Sequence, residues 1–138
     1  MEIRYPATVE HQEDDRFFVQ FVDFENIFTE GETMEEALMN ASEVLSVMLE
    51  VMLEDGQSIV PPSQNVAGAH YIAPDAKTQA ALLVRQARGE RSVSDLARAL
   101  QTSWPAAKRL EDARHWPSLR ALDRAAAALG KRLMLSME

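Results

Sequence analysis

Apolar and polar residues alternate from the start of the chain, where Ile3, Tyr5, Ala7 and Val9 fall between Glu2, Arg4, Pro6 and Thr8. A period of two is that of a strand with one buried face. Phe17, Val19 and Phe21 repeat it after the polar run HQEDD, so residues 2–22 are expected to form a β-hairpin, with residues 27–29 as a short third strand before a turn at Glu30 and Gly31. The period then changes. Ala37, Leu38, Ala41, Val44, Leu45, Met48, Leu49 and Met52 recur at helical spacing until Asp55 and Gly56. Thr33 followed by Glu36 is a capping box for that helix. Val47 and Val51 widen the apolar stripe, so the helix is expected to meet something beyond its own sheet.

Residues 56–75, GQSIVPPSQNVAGAHYIAPD, are rich in Gly, Pro and small polar residues and mark a boundary. Within them Ile59 with Val60, or Tyr71 with Ile72, can add an edge strand. Beyond Pro74 four short helices are expected. Asp75 can cap the first, carrying Leu82, Leu83 and Ala87 up to Gly89; Ser92 the second, with Leu96, Ala97 and Leu100. Ser103 can cap a third with Ala107 and Leu110, and Ser118 a fourth with Leu119, Leu122, Ala126 and Leu129 up to Gly130. The closing KRLMLSME alternates again and reads as a terminal strand. A lone strand leaves its backbone groups unpaired, and the simplest partner is the same strand of a second copy, which makes Leu133, Met134 and Leu135 dimerisation candidates. The expected architecture is α+β, with a sheet-and-helix domain over residues 1–56 whose edge strand extends to about 73. A connecting segment at 57–74 and an all-helical domain at 75–138 complete it.

Composition narrows the class. The 138 residues are 46% hydrophobic and 26% charged, as in a soluble globular protein, and cysteine is absent, which excludes disulfides and thiolate metal sites. No apolar run is long enough for a bilayer, and the first residues lack the features of a signal peptide, so a cytoplasmic location is expected. The net charge of -8 hides a division. Up to residue 75 there are sixteen acidic and two basic residues, a net of -14; from residue 76 there are twelve basic and six acidic, a net of +6. Two such halves suggest two different partners, or else an unevenly charged solvated surface.

Residues 92–112 carry the clearest motif. Two short helices joined by a tight turn form a helix-turn-helix when the first braces the second for the major groove. Leu96 and Leu100 supply the brace, Ala97 permits a close crossing, Gln101 and Thr102 fit the turn, and Pro105 fits a first helical turn. Trp104, Lys108 and Arg109 then project outward, and with Thr102, Ser103, Ala106 and Arg114 they form the candidate DNA-facing set. A structural helical hairpin is the alternative reading, and in it Trp104 packs on Trp116.

Together YPATVEHQEDDRFFVQFVDF, TEGETMEEALMNASEVL and LARALQTSWPAAKRLEDARHWPSLRALDRAAAALGKRL resemble the HicB family of antitoxins with a C-terminal helix-turn-helix, over nearly the whole chain. The resemblance implies a first domain of partial ribonuclease-H-like fold, ββ(β)α(β). It also implies a protein that neutralises a small HicA-type ribonuclease toxin and represses its own operon as a homodimer or homotetramer on double-stranded operator DNA. Two positions depart from the family pattern. Gln101 stands where relatives usually have Gly in the turn, and Trp104 where the recognition helix usually reads Ser-Gln-Pro. Because HicA-type toxins resemble small basic RNA-binding folds, acidic residues of the first domain are the candidate toxin contacts: Glu10, Glu13, Asp14, Asp15, Asp23, Glu30 and Glu32, with Glu35 and Glu36 equally explained as partners of a helix dipole.

Catalysis finds little support. Asp23 and Glu25 could suggest metal-dependent phosphodiester cleavage on such a fold, but no set of carboxylates stands out, and His11, His70 and His115 lie in separate segments without ligand spacing. Nucleophile elbows and phosphate loops are absent. No catalytic residue, metal, cofactor or small-molecule substrate is expected. The alternative functions are a stand-alone DNA-binding regulator with a ligand-sensing first domain, and a metal-dependent nuclease.

Overall fold

A computed structural model describes residues 2–138. The chain divides into two compact units, one ending at Asp75 and the other running from Ala76 to Glu138. In the first, strands β1 (Tyr5–His11), β2 (Phe17–Phe21), β3 (Phe28–Gly31) and β4 (His70–Ile72) form an antiparallel sheet in the order β3-β2-β1-β4. The β1–β2 connection closes through Gln12 N–H to Arg16 O (2.7 Å) and Asp15 N–H to Gln12 O (3.0 Å). Asp15 takes the left-handed conformation there, which a short polar side chain tolerates.

The third strand lies slightly later than expected. Ile27 is fully buried and closes the loop that precedes β3, with Phe21 N–H donating to its carbonyl, and the ladder continues to Gly31 opposite Phe17. Gly31 is therefore a strand residue rather than a turn residue. Its role is close approach: a Cβ there would lie 2.4 Å from the backbone nitrogen of Ala37.

Ala37 belongs to α1 (Met34–Glu54), which covers one face of the sheet with Ala37, Ala41, Leu45, Leu49 and Leu53. Small residues come first, where the helix start meets Gly31, and leucines follow. Each fully buried leucine contributes about 1.5–3 kcal/mol. Thr33 caps the helix by accepting from Glu36 N–H (3.0 Å). The expected return bond goes elsewhere, since the Glu36 carboxylate accepts from Glu32 N–H (3.3 Å).

The connecting segment expected at residues 57–74 is fastened to the first unit. The Tyr5 hydroxyl donates to Val60 O (2.7 Å), and Asp23 accepts from both the N–H (2.9 Å) and the hydroxyl of Ser63. Of the two edge-strand alternatives the one at 70–72 forms, pairing Tyr5 with Ile72, while residues 59–60 form no strand. On α1, Ser42 donates to Ala73 O (2.6 Å) and the Ser46 hydroxyl accepts from Asp75 N–H (2.8 Å).

The second unit consists of α2 (Ala76–Arg88), α3 (Val93–Leu100), α4 (Trp104–Arg109) and α5 (Leu119–Ala128). Val84, Leu96, Ala97, Leu100, Ala107, Leu110, Ala125 and Leu129 form its core. Leu119 does not join them. It sits at the first position of α5 and is exposed, because the inward stripe runs through Ala121, Leu122, Ala125, Ala128 and Leu129. The terminal strand is also absent: residues 131–138 have no strand pairing within the single chain and expose Met134, Leu135 and Met137. A strand exists only where another satisfies its backbone, and the nearest elements here are helices.

Candidate functional surfaces

The segment from α3 to α4 has the geometry of a braced helix pair. Ser92 and Asp95 form a reciprocal capping box at the start of α3, and these bonds from Ser92 hold the Asp95 carboxyl below its usual range. The α3 helix ends on Gln101 in the left-handed conformation (φ 54°, ψ 45°), with Thr102 N–H bonded to Ala97 O (2.9 Å). Side chains resist that conformation because Cβ crowds the carbonyl, so Gln101 is strained there. Ser103 then caps α4 by accepting from Ala106 N–H (3.2 Å), with Pro105 in the first turn.

Most of the DNA-facing candidates lie on the outside of this pair. Thr102, Ser103, Trp104, Lys108 and Arg109 are exposed, and the Lys108 and Arg109 side chains are engaged by no other described residue. Trp104 is half exposed at the first position of α4, and Trp116 is more exposed still, so neither buries the other. Ala106 differs. It is partly buried and lines a shallow cleft with Leu100, Leu110, Ala121 and Arg124, so it faces inward more than outward. Arg114 is exposed beyond α4, and its backbone N–H and guanidinium both donate to Asp112 (2.9 and 3.3 Å).

Sequence reasoning missed the clamp behind α4. Glu111, two residues past the helix, is buried, and its carboxylate accepts two bonds from the Arg88 guanidinium at the end of α2 (2.6 and 2.9 Å). Arg88 also donates to Arg91 O (2.5 Å). In KRLED the glutamate looks like any surface charge, so no local signal marks it.

On the first unit the register collects several acidic candidates. Because Phe17 opposes both His11 and Gly31, the β1–β2 turn with Glu13, Asp14 and Asp15 lies at the same end of the sheet as Glu30 and Glu32. Arg16 sits among them, 3.1 Å from Glu30 and 3.6 Å from Glu32, while His11 lies 3.4 Å from Asp15. Glu10 is exposed on the neighbouring strand. Asp23 lies apart, beyond the far end of β2, and its carboxylate is occupied by Ser63. It anchors the 57–66 segment, and with burial its charge pushes the Tyr5 phenol up to about 12, burial being the larger cause. Among the described residues no three His, Asp or Glu side chains converge as metal ligands.

Residues 4–80, more than half of the chain, match the family model of the HicB-like antitoxin of bacterial toxin-antitoxin systems. The chain belongs to that family. This antitoxin is 30% identical over 138 residues to Antitoxin HicB 1 of Photorhabdus laumondii subsp. laumondii, an alignment covering 99% of this chain and 88% of that protein. It is 31% identical over 137 residues to Antitoxin HicB of Escherichia coli K12, covering 98% and 99% of the two. The family model reaches only the start of α2, whereas these relatives align through the antitoxin's C-terminal helices as well. Among the described residues no helix is long and apolar enough to cross a membrane.

Proposed function

We propose that this antitoxin neutralises a small, basic HicA-type ribonuclease toxin through its first unit and represses its own operon by placing α4 in the major groove of operator DNA. One observation carries the reading: the change in charge falls at the boundary between the two compact units. Every one of the sixteen acidic residues behind the -14 lies in the sheet-and-helix unit, and the +6 belongs to the four helices. An anionic face opposes a nuclease that must itself attract RNA phosphates, and a cationic face is attracted to a duplex. Masking of this kind needs no chemistry from the inhibitor.

Lys108 and Arg109, exposed and unengaged on α4, are assigned to base edges and phosphates; Ser103 and Thr102 to phosphates at the helix start; and Trp104 to the groove edge at the first position of α4. Residues 131–138 supply a strand to a second copy through Leu133, Met134 and Leu135, giving a dimer or tetramer in the cytoplasm. The test uses the whole chain. Co-expression with the short basic protein of the adjacent reading frame should yield a stable complex, and the antitoxin alone should retard its promoter fragment in a gel. Replacing Lys108 and Arg109 together by Ala should abolish retardation and leave the protein complex intact. Retardation unchanged by that substitution rejects α4 as the reader, and failure to bind both ligands rejects the whole reading.

A further inference from the structure

We infer that the toxin docks on the open face of the four-stranded sheet, with an apolar centre at Phe28, Phe18 and Val22 and a carboxylate rim, rather than on the acidic turn alone. This deepens the antitoxin reading above and rests on it. The α1 helix covers the face that carries Tyr5, Ala7, Val19 and Phe21; on the other face Pro6 is buried, beside Tyr71, whose hydroxyl donates to Ser63 O and accepts from Val66 N–H, while Phe28 and Val22 stay exposed.

The register lays out that second face in three rows. Glu10, Phe18 and Glu30 oppose one another across β1, β2 and β3; Thr8, Gln20 and Phe28 form the next row; Tyr71 and Pro6 form a third, which Val22 joins by donating its N–H to Pro6 O (3.0 Å). Side chains directly opposed on one face stand about 5 Å apart. Phe18 and Phe28 lie diagonally in adjacent rows, within reach of long aromatic side chains, and their ring centroids are 5.9 Å apart; Phe28 is 53% and Val22 45% exposed. Gln20 lies between them without offering its amide to solvent, because its Nε2 donates to backbone carbonyls of the loop that follows β2, Phe24 O among them at 3.0 Å. Aromatic side chains at the middle of a polar-rimmed patch are where binding energy concentrates in protein interfaces.

Charge selects the occupant. Glu10 and Glu30 flank Phe18 in its own row, and the adjoining end of the sheet adds Glu13, Asp14, Asp15 and Glu32 against one cation, Arg16. A second copy of the chain would bring these carboxylates against their equivalents, between units each at -14. The complementary occupant is a cationic protein surface whose Lys and Arg side chains meet the rim while an apolar or guanidinium group covers the two rings. That is the chemistry of the basic toxin.

The experiment measures binding of the purified toxin from the adjacent reading frame to the full antitoxin by interferometry. Phe28→Ser combined with Val22→Ser should raise Kd at least tenfold, and Val47→Ser, on the exposed side of α1, should leave it within twofold. A benzophenone side chain at position 28 should cross-link to the toxin and one at position 47 should not, which decides the matter even if the double substitution fails to fold. Unchanged affinity with a folded double variant, or cross-linking at 47 alone, overturns the inference while leaving the antitoxin reading in place. A wild-type chain that does not bind the toxin overturns both.

Discussion

Removing Arg88 should damage the second unit more than removing the charge of its partner. The Glu111 side chain is 1% exposed and that of Arg88 17%, with N–O distances of 2.6 and 2.9 Å. Breaking a buried pair by deleting one member costs about 3–5 kcal/mol, because the remaining charge is stranded away from water. Arg88→Met strands the carboxylate completely. In Glu111→Gln the guanidinium keeps its bond to Arg91 O, reaches solvent at one edge, and can still donate to the amide oxygen, so about 2 kcal/mol is expected. At roughly 0.05–0.15 kcal/mol per residue, a unit of this size holds only about 3–9 kcal/mol in total. Arg88→Met should therefore remove most of its stability at neutral pH. Both tryptophans, Trp104 and Trp116, lie in the second unit, so urea unfolding followed by their fluorescence reports this unit alone. The pair Arg88→Met with Glu111→Leu should lie within about 1 kcal/mol of wild type. Deficits below about 1 kcal/mol for both single substitutions, or equal deficits in the two, would refute the reasoning.

Gly31→Ala should destabilise the first unit by roughly 3 kcal/mol, since the added methyl meets helix backbone at 2.4 Å and neither strand nor helix can yield cheaply; an unchanged thermal transition would show that the two elements slide apart freely. Gln101→Gly should stabilise the second unit by about 1 kcal/mol by relieving the left-handed conformation at φ 54°, checked by the same tryptophan-monitored urea curve, where a lower midpoint counts against it. The Tyr5 phenol, raised to about 12, favours the folded state fully below its unfolded pKa near 10 and loses that contribution as pH climbs between the two values. Tyr5→Phe should flatten the alkaline unfolding transition seen by phenolate absorbance and circular dichroism, and an identical alkaline limb in the variant would sink that account.

Local pattern sufficed wherever one residue's neighbours in sequence are also its neighbours in space. Period-two alternation placed the hairpin, Thr33, Ser92, Ser103 and Ser118 marked the helix starts they do cap, and the charge count separated two halves that the fold keeps as separate units. Asp23 shows where such reasoning ends. Its sequence context allowed a metal ligand or a toxin contact, and only the return of residues 57–66 to the first unit gives its carboxylate to Ser63.

The order of apolar and polar side chains, read by itself, determines the helices and caps of this antitoxin, because those depend on backbone geometry and residues at most four positions apart; alternation marks candidate strands, and residues 131–138 alternate without pairing in the single chain. Tertiary structure alone decides that Gly31 must lack a side chain, that Arg88 and Glu111 meet across 23 positions, and that Phe18, Phe28 and Val22 share the sheet face opposite α1, with Glu10 and Glu30 beside them. Each of these arises from strand register or helix crossing, which bring together residues whose separation along the chain carries no trace of their distance in space.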